Sequence, residues 1–150
     1  MAQPALTLDD LPLPRRVAIA ELVGAALSIT GELALLYAAL AARGELAALD
    51  AGLGELAWAK GAEAAALESL ARDLGCDAAQ AAPAPRLETG AAGRGQVFTR
   101  AFERERTLEI TYRELVALLA GHPLEGRLAR LAAETAGHRA RLRDLYWRYS

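Results

Sequence analysis

Apolar positions recur at spacings of three and four residues over four long stretches of the chain, and proline and glycine separate those stretches. The first predicted helix opens at about Pro14, a residue suited to a first helical turn, and runs to Arg43, where Gly44 stops it. A second follows a tight turn, from about Glu45 to Leu74, with Gly75 as its stop. From Cys76 to Gln96 the chain carries Pro83, Pro85, Gly90, Gly93 and Gly95, a composition that does not sustain a helix and reads as one long connection. A third helix is expected over Val97–Ala120, a tight turn at Gly121-His122-Pro123, and a fourth helix over Leu124–Tyr149. Short, long and short connections predict an all-α four-helix bundle, two antiparallel hairpins joined by a crossover loop. Residues 1–13 read as an N-terminal extension of this single domain.

The predicted inward stripes carry polar residues at their middle level. They are Thr30 in the first helix, Lys60 and Glu63 in the second, Glu105 in the third, and Thr135 and His138 in the fourth. The two hairpins also match at an offset of 75 positions: Tyr37 meets Tyr112, Leu40 meets Leu115, Leu56 meets Leu131, and Leu67 meets Leu142. This self-similarity points to an internal duplication. The same offset pairs Thr30 with Glu105, Lys60 with Thr135 and Glu63 with His138. A buried charge is costly unless it is paired or bound to a metal. The layer is therefore a satisfied structural cluster, a metal site, or a stripe rotated so that some of these groups reach solvent. Lys60, the one lysine among 17 cations, lies between Leu56 and Leu67 on its stripe.

Composition narrows the classes. Of 150 residues, 36 are Ala and 27 are Leu, while β-branched and aromatic residues are sparse, which argues against a sheet-rich fold. The net charge is −2 with cations interspersed among acids, so no nucleic-acid footprint is present. A single cysteine, Cys76, can form neither an intramolecular disulfide nor a CxxC pair, which suits a reducing, cytoplasmic setting. Asp9, Asp10, Pro12 and Pro14 stand where a signal peptide would be basic and then apolar. The nearest thing to a membrane span, Val17–Ala42, is interrupted by Glu21 and Glu32, so membrane insertion is not expected. GxGxxG, P-loop and HExxH motifs are absent, and the sequence names no reaction.

Glu105 followed seven residues later by Tyr112, and then a helix carrying Ala133-Glu134-Thr135-Ala136-Gly137-His138, resembles the second half of a rubrerythrin-type ferritin-like protein. The resemblance spans residues 14 to 149. It implies a duplicated helical pair, each pair offering a Glu on its first helix and a Glu-x-x-His on its second to hold two irons. Of the six implied ligand positions, Glu105 and His138 match. Thr30 stands for a Glu, Lys60 and Glu63 stand for Glu and His, and Thr135 stands for the remaining Glu. With both bridging carboxylates replaced, the expectation is a ferritin-like bundle whose di-iron site is largely lost and which does no ordinary oxidase or peroxidase chemistry. It would be metal-free, or hold one divalent ion, iron or zinc, through Glu63, Glu105 and His138. The alternative is a non-catalytic module that forms a homodimer through exposed alanines such as Ala38, Ala42, Ala62 and Ala66. Lys60, Glu63, Glu105 and His138 are expected in one cluster at the middle of the bundle. Tyr37 and Tyr112 are expected about two turns away along their own helices.

Overall fold

A computed structural model of the chain describes residues 8–76 and 93–149. A short 3-10 turn, Leu8–Asp10, precedes four helices: α1 (Leu13–Ala41), α2 (Ala47–Leu74), α3 (Arg94–Leu118) and α4 (Glu125–Tyr149). The described residues contain no strand, and the architecture is an all-α four-helix bundle.

The helix limits differ from the expected ones by a few residues. α1 stops at Ala41 and α2 begins at Ala47, because the backbone turns through residues 42–46. α3 starts three residues earlier than the glycine content suggested, since a first turn needs no hydrogen-bonded N–H groups and so tolerates Gly95. Arg94 also anchors that end, with Nη1 donating to Glu45 Oε2 at 2.9 Å and Nη2 to the Tyr149 carbonyl at 3.2 Å. The expected connection Cys76–Gln96 is thus shortened to its part before Arg94, and residues 77–92 of it lie outside the described residues. Residues 8–13 are also more than an extension, because Leu8 is buried against the core.

All three glycines at the turns, Gly44, Gly75 and Gly121, have left-handed backbone. Gly75 ends α2 at φ 74°, its N–H bonding to the Arg72 carbonyl and that of Cys76 to the Ala71 carbonyl. Gly121, at φ 81°, turns α3 into α4, and its N–H donates to Glu125 Oε2 at 3.0 Å. The next turn is held by His122, whose Nδ1 accepts the Leu124 N–H at 3.1 Å.

α2 packs on α1 and on α4, and α3 packs on the same two helices, so α2 and α3 sit on a diagonal. α2 and α4 run antiparallel: Leu145 lies over Gly52, Thr135 beside Glu63, and Arg127 beside Asp73. The core is built mainly of fully buried leucines, among them Leu33, Leu53, Leu67, Leu108 and Leu142, joined by Phe98, Tyr37 and Tyr112. α1 is apolar around most of its circumference. Among the described helices it alone is long and apolar enough to cross a membrane, and half of that apolar window is buried in the bundle. Its Glu32 is buried beneath two arginines of α3, Arg100 at 2.7 Å and Arg104 at 3.1 Å. Glu109 of α3 is buried in the same manner under Arg113 and Arg139.

Two alanine substitutions separate the two roles of glycine. Gly137 lies exposed within α4 with open space around an added Cβ, so Gly137→Ala should raise stability by about 0.5–1 kcal/mol. Gly121→Ala should lower it by about 1–2 kcal/mol, because alanine disfavours the left-handed backbone there. Urea unfolding of both variants measures the difference.

Candidate functional site: a buried ionic layer

The middle of the bundle is polar. Tyr37 comes from α1, Lys60 and Glu63 from α2, Glu105 and Tyr112 from α3, and Thr135 and His138 from α4. Helical side chains lean toward the N-terminus of their own helix. α1 and α3 run in opposite directions, so Tyr37 and Glu105 lean toward each other, and the phenol of Tyr37 donates to Glu105 Oε1 at 2.7 Å. Tyr112 likewise donates to Glu63 Oε2 at 2.7 Å across the diagonal. Thr135 donates to Glu63 Oε1 at 3.0 Å. The Lys60 ammonium lies between the two carboxylates, 3.1 Å from Glu63 Oε1 and 2.8 Å from Glu105 Oε2.

Except for His138, these side chains are sealed from solvent. Two carboxylates and one ammonium sum to a formal −1, and three hydroxyl donors spread that charge. Glu63 receives the larger share. Burial alone would push its pKa up, but His138, Lys60 and Tyr112 together outweigh burial and hold it below the ordinary carboxylate value. Glu105 goes the other way: burial raises it, and Lys60 and Tyr37 recover only part of that cost. Glu105 Oε2 accepts no well-aligned hydrogen bond, so its compensation is the nearby Lys60 charge. Burial and the adjacent carboxylates push both tyrosines well above the ordinary phenol range, which keeps them as donors.

Of the residues singled out in the sequence, Lys60, Glu63, Glu105, Thr135 and His138 come together. Thr30 does not join their network. It is as deeply buried, but its hydroxyl donates to the Ala26 and Leu27 carbonyls of its own helix at 2.9 and 3.0 Å. His138 sits at the edge of the layer, 19% exposed, instead of in the core. Its Nδ1 lies 3.4 Å from Glu63 Oε1 and makes no aligned hydrogen bond. Tyr37 and Tyr112 do stand about two turns along their helices, yet their phenols reach into the layer as its closest hydrogen-bond partners. The length of a tyrosine and the opposed directions of α1 and α3 were the available signal. Glu32 and Glu109, each buried under two arginines, were not singled out. Ala38, Ala42, Ala62 and Ala66 are exposed as expected.

The arrangement suits an internal ion pair better than a metal. A cation placed between Glu63 and Glu105 would meet the Lys60 ammonium already there. Among the described residues no group of three or more His, Cys, Asp and Glu side chains is disposed to hold a metal ion. The chain has no significant match to any protein-family model, any curated protein or any solved structure.

Removing one partner from this layer strands the others. Lys60→Met should cost on the order of 3–5 kcal/mol at neutral pH, and less as acid protonates the carboxylates it leaves behind. Thermal unfolding across pH checks both parts.

The two carboxylates should also have opposite pH signatures. Glu63, with its lowered pKa, contributes stability that is present above 4.5 and lost as pH falls through its folded value. Glu105, with its raised pKa, binds its proton more tightly in the folded chain, so its ionisation lowers stability as pH climbs from 4.5 through its folded value. Glu105→Gln should therefore flatten that decline, whereas Glu63→Gln should remove the gain at acid pH and be the more damaging change at neutrality. Urea midpoints measured against pH distinguish them.

Proposed function

We propose that the chain is a non-catalytic helical bundle of the ferritin-like, rubrerythrin-related kind in which a lysine ammonium has taken the electrostatic place of the metal pair. What supports this most directly is the position of Lys60 Nζ, buried and within 3.1 Å of both carboxylates, as a cation bridging them would be. In di-iron bundles each of two helices gives one Glu and each of the others a Glu-x-x-His. Here the four positions that lack those ligands hold groups that serve the ion pair or their own helix. Lys60 supplies the charge, Glu63 accepts it, Thr135 donates to Glu63, and Thr30 bonds to its own backbone. The layer is satisfied from within and has no strong need of an exogenous ligand. At most one divalent ion binds, weakly, where His138 reaches solvent beside the buried Glu63. The bundle then acts through its outer surface.

Restoring the ligand set tests this proposal. Thr30→Glu, Lys60→Glu, Glu63→His and Thr135→Glu made together recreate four carboxylates and two histidines in the layer. Elemental analysis after expression in iron-rich medium should find about two irons per chain in that variant and far less than one in the parent. Stoichiometric iron in the parent would refute the exchange of metal for lysine. A folded variant that takes up none would refute the ferritin-like register.

A further inference from the structure

The outer face of α2 is unusual in composition. Trp58, 79% exposed, stands on it with nothing but small residues in the following turns: Gly61, Ala62 and Ala65, all exposed. Three residues before Trp58 is Glu55, whose nearest cation, Arg141, is 3.9 Å away. Two further turns along are Ala66 and Leu70, which with Arg130, Leu131 and Glu134 of α4 line a groove of about 210 Å³. Arg130 and, beyond the groove, Arg72 are exposed and make no ion pair among the described residues. A protruding indole, a groove of its own scale on the same helix, an acid held only by a long exposed pair to Arg141, and two arginines without an ion pair among the described residues are thus set out along one strip.

We propose that this strip is a homodimer interface in which Trp58 of each copy fills the α2–α4 groove of the other. A two-fold axis crossing α2 at right angles near Glu63 sets the helix antiparallel to its copy. Gly61 of one copy then faces Ala65 of the other, so the two backbones approach closely. Trp58 faces the turn Ala66–Leu70 of the second copy and the aliphatic wall of Leu131 beside it. The guanidinium of Arg130 there stacks on the indole. Glu55 meets Arg72 of the second copy. Because the symmetry is two-fold, every one of these contacts is made twice. The placement of charge favours this arrangement of α2 on α2: outside the buried pair the helix carries Asp50, Glu55, Glu68 and Asp73 against Arg72, and a parallel pairing would set each acid beside its own copy. The antiparallel one brings the acidic end at Asp50 and Glu55 to the end where Arg72 and the α4 arginines Arg127 and Arg130 lie. With the axis near Glu63, residues 52–74 of the two helices overlap, a contact about 35 Å long.

Sedimentation equilibrium of the full chain across the micromolar range tests the interface. The wild-type chain should sediment at twice its chain mass. Trp58→Gln removes the anchor and Ala66→Gln fills the groove; each should weaken association by about 30-fold or more, the loss of a central hot spot. Both positions are exposed, so the helical circular dichroism should stay unchanged. Glu55→Arg should also yield monomers, and adding Arg72→Glu to it should restore the dimer by re-forming the pair with reversed sign. A wild-type chain that stays monomeric overturns the proposal, whether or not Trp58 serves some other partner. So does a dimer indifferent to Trp58→Gln, or a doubly reversed variant that fails to reassociate.

Discussion

The bundle depends on one interaction, the ammonium of Lys60 held between the carboxylates of Glu63 and Glu105. Each of these charges would be prohibitive in such a place by itself, and their mutual attraction offsets desolvation only if the geometry is good and the remaining lone pairs are met. Three hydroxyls meet them. Glu63 lies on α2 and Glu105 on α3, helices that face each other across the diagonal and share little direct packing. The ion pair and the Tyr112–Glu63 bond span that diagonal, and with Tyr37 and Thr135 they tie all four helices at one level. Leucine above and below this level can slide by a turn with modest change in buried area. The polar layer cannot, since a one-turn slip would leave two carboxylates and an ammonium unpaired in a low-dielectric interior. The apolar column supplies the bulk of the driving force, and the layer supplies the register.

The offset of 75 positions between the two hairpins relates residues of this layer that differ in chemistry. Tyr37 and Tyr112 are equivalent by the 75-residue offset, but they bond to non-equivalent acids, Glu105 on a neighbouring helix and Glu63 across the diagonal. In a two-fold site the acids would be equivalent as well. Here the repeat partner of Glu105 is Thr30, satisfied within its own helix, and the partner of Glu63 is His138, at the edge of solvent. The first hairpin thus places its one acid and its one lysine on the same helix, three residues apart. The second contributes an acid and a phenol from α3, and Thr135 and His138 from α4. The opposite pKa displacements of the two acids follow from that asymmetry: Glu63 collects the donors of α3 and α4, and Glu105 has Lys60 and one phenol against the same burial.

Much of this was legible in the sequence because helical period and glycine placement are local signals. The four helices and the turn at Gly121 follow from spacing, which also offered the inward placement of Lys60, Glu63, Glu105 and Thr135 beside a rotated stripe; the connection at Gly44 is longer than the expected tight turn. What spacing does not carry is direction and reach. Thr30 has the same burial and period as its neighbours on the stripe, but a threonine can bond the carbonyl four residues back, and nothing in the sequence distinguishes that from a bond across the core. The stripe puts His138 inward, yet a position at the margin of a stripe can turn a ring edge to solvent with a small rotation of the helix. The tyrosines were placed correctly along their helices and still missed as partners, because a phenol extends beyond a full turn of its own helix. Glu32, noted only as an interruption of an apolar run, and Glu109 were missed as buried ion pairs for the opposite reason: arginines on other helices or turns cover them, and such pairing is invisible until the helices are assembled.

The choice of cation at the centre has its own logic. Of 17 basic residues, 16 are arginines and one is lysine, and among the described residues the lysine is the one that is buried. The exterior arginines work by reach and fork geometry, as where Arg100 and Arg104 both cover Glu32. A planar guanidinium prefers two parallel bonds to a single carboxylate and carries five donors that all need partners when buried. The layer offers something else: two acids on different helices, approached from between them, with their outer lone pairs already taken by hydroxyls. A compact ammonium with three rotatable donors can serve both acids at once and leaves little unmet. An arginine at position 60 would have to favour one acid, displace the other and strand donors in a leucine core. Lysine is therefore the cation that this interior can accommodate, while a chain otherwise committed to arginine keeps its forked cations where water completes their hydrogen bonding.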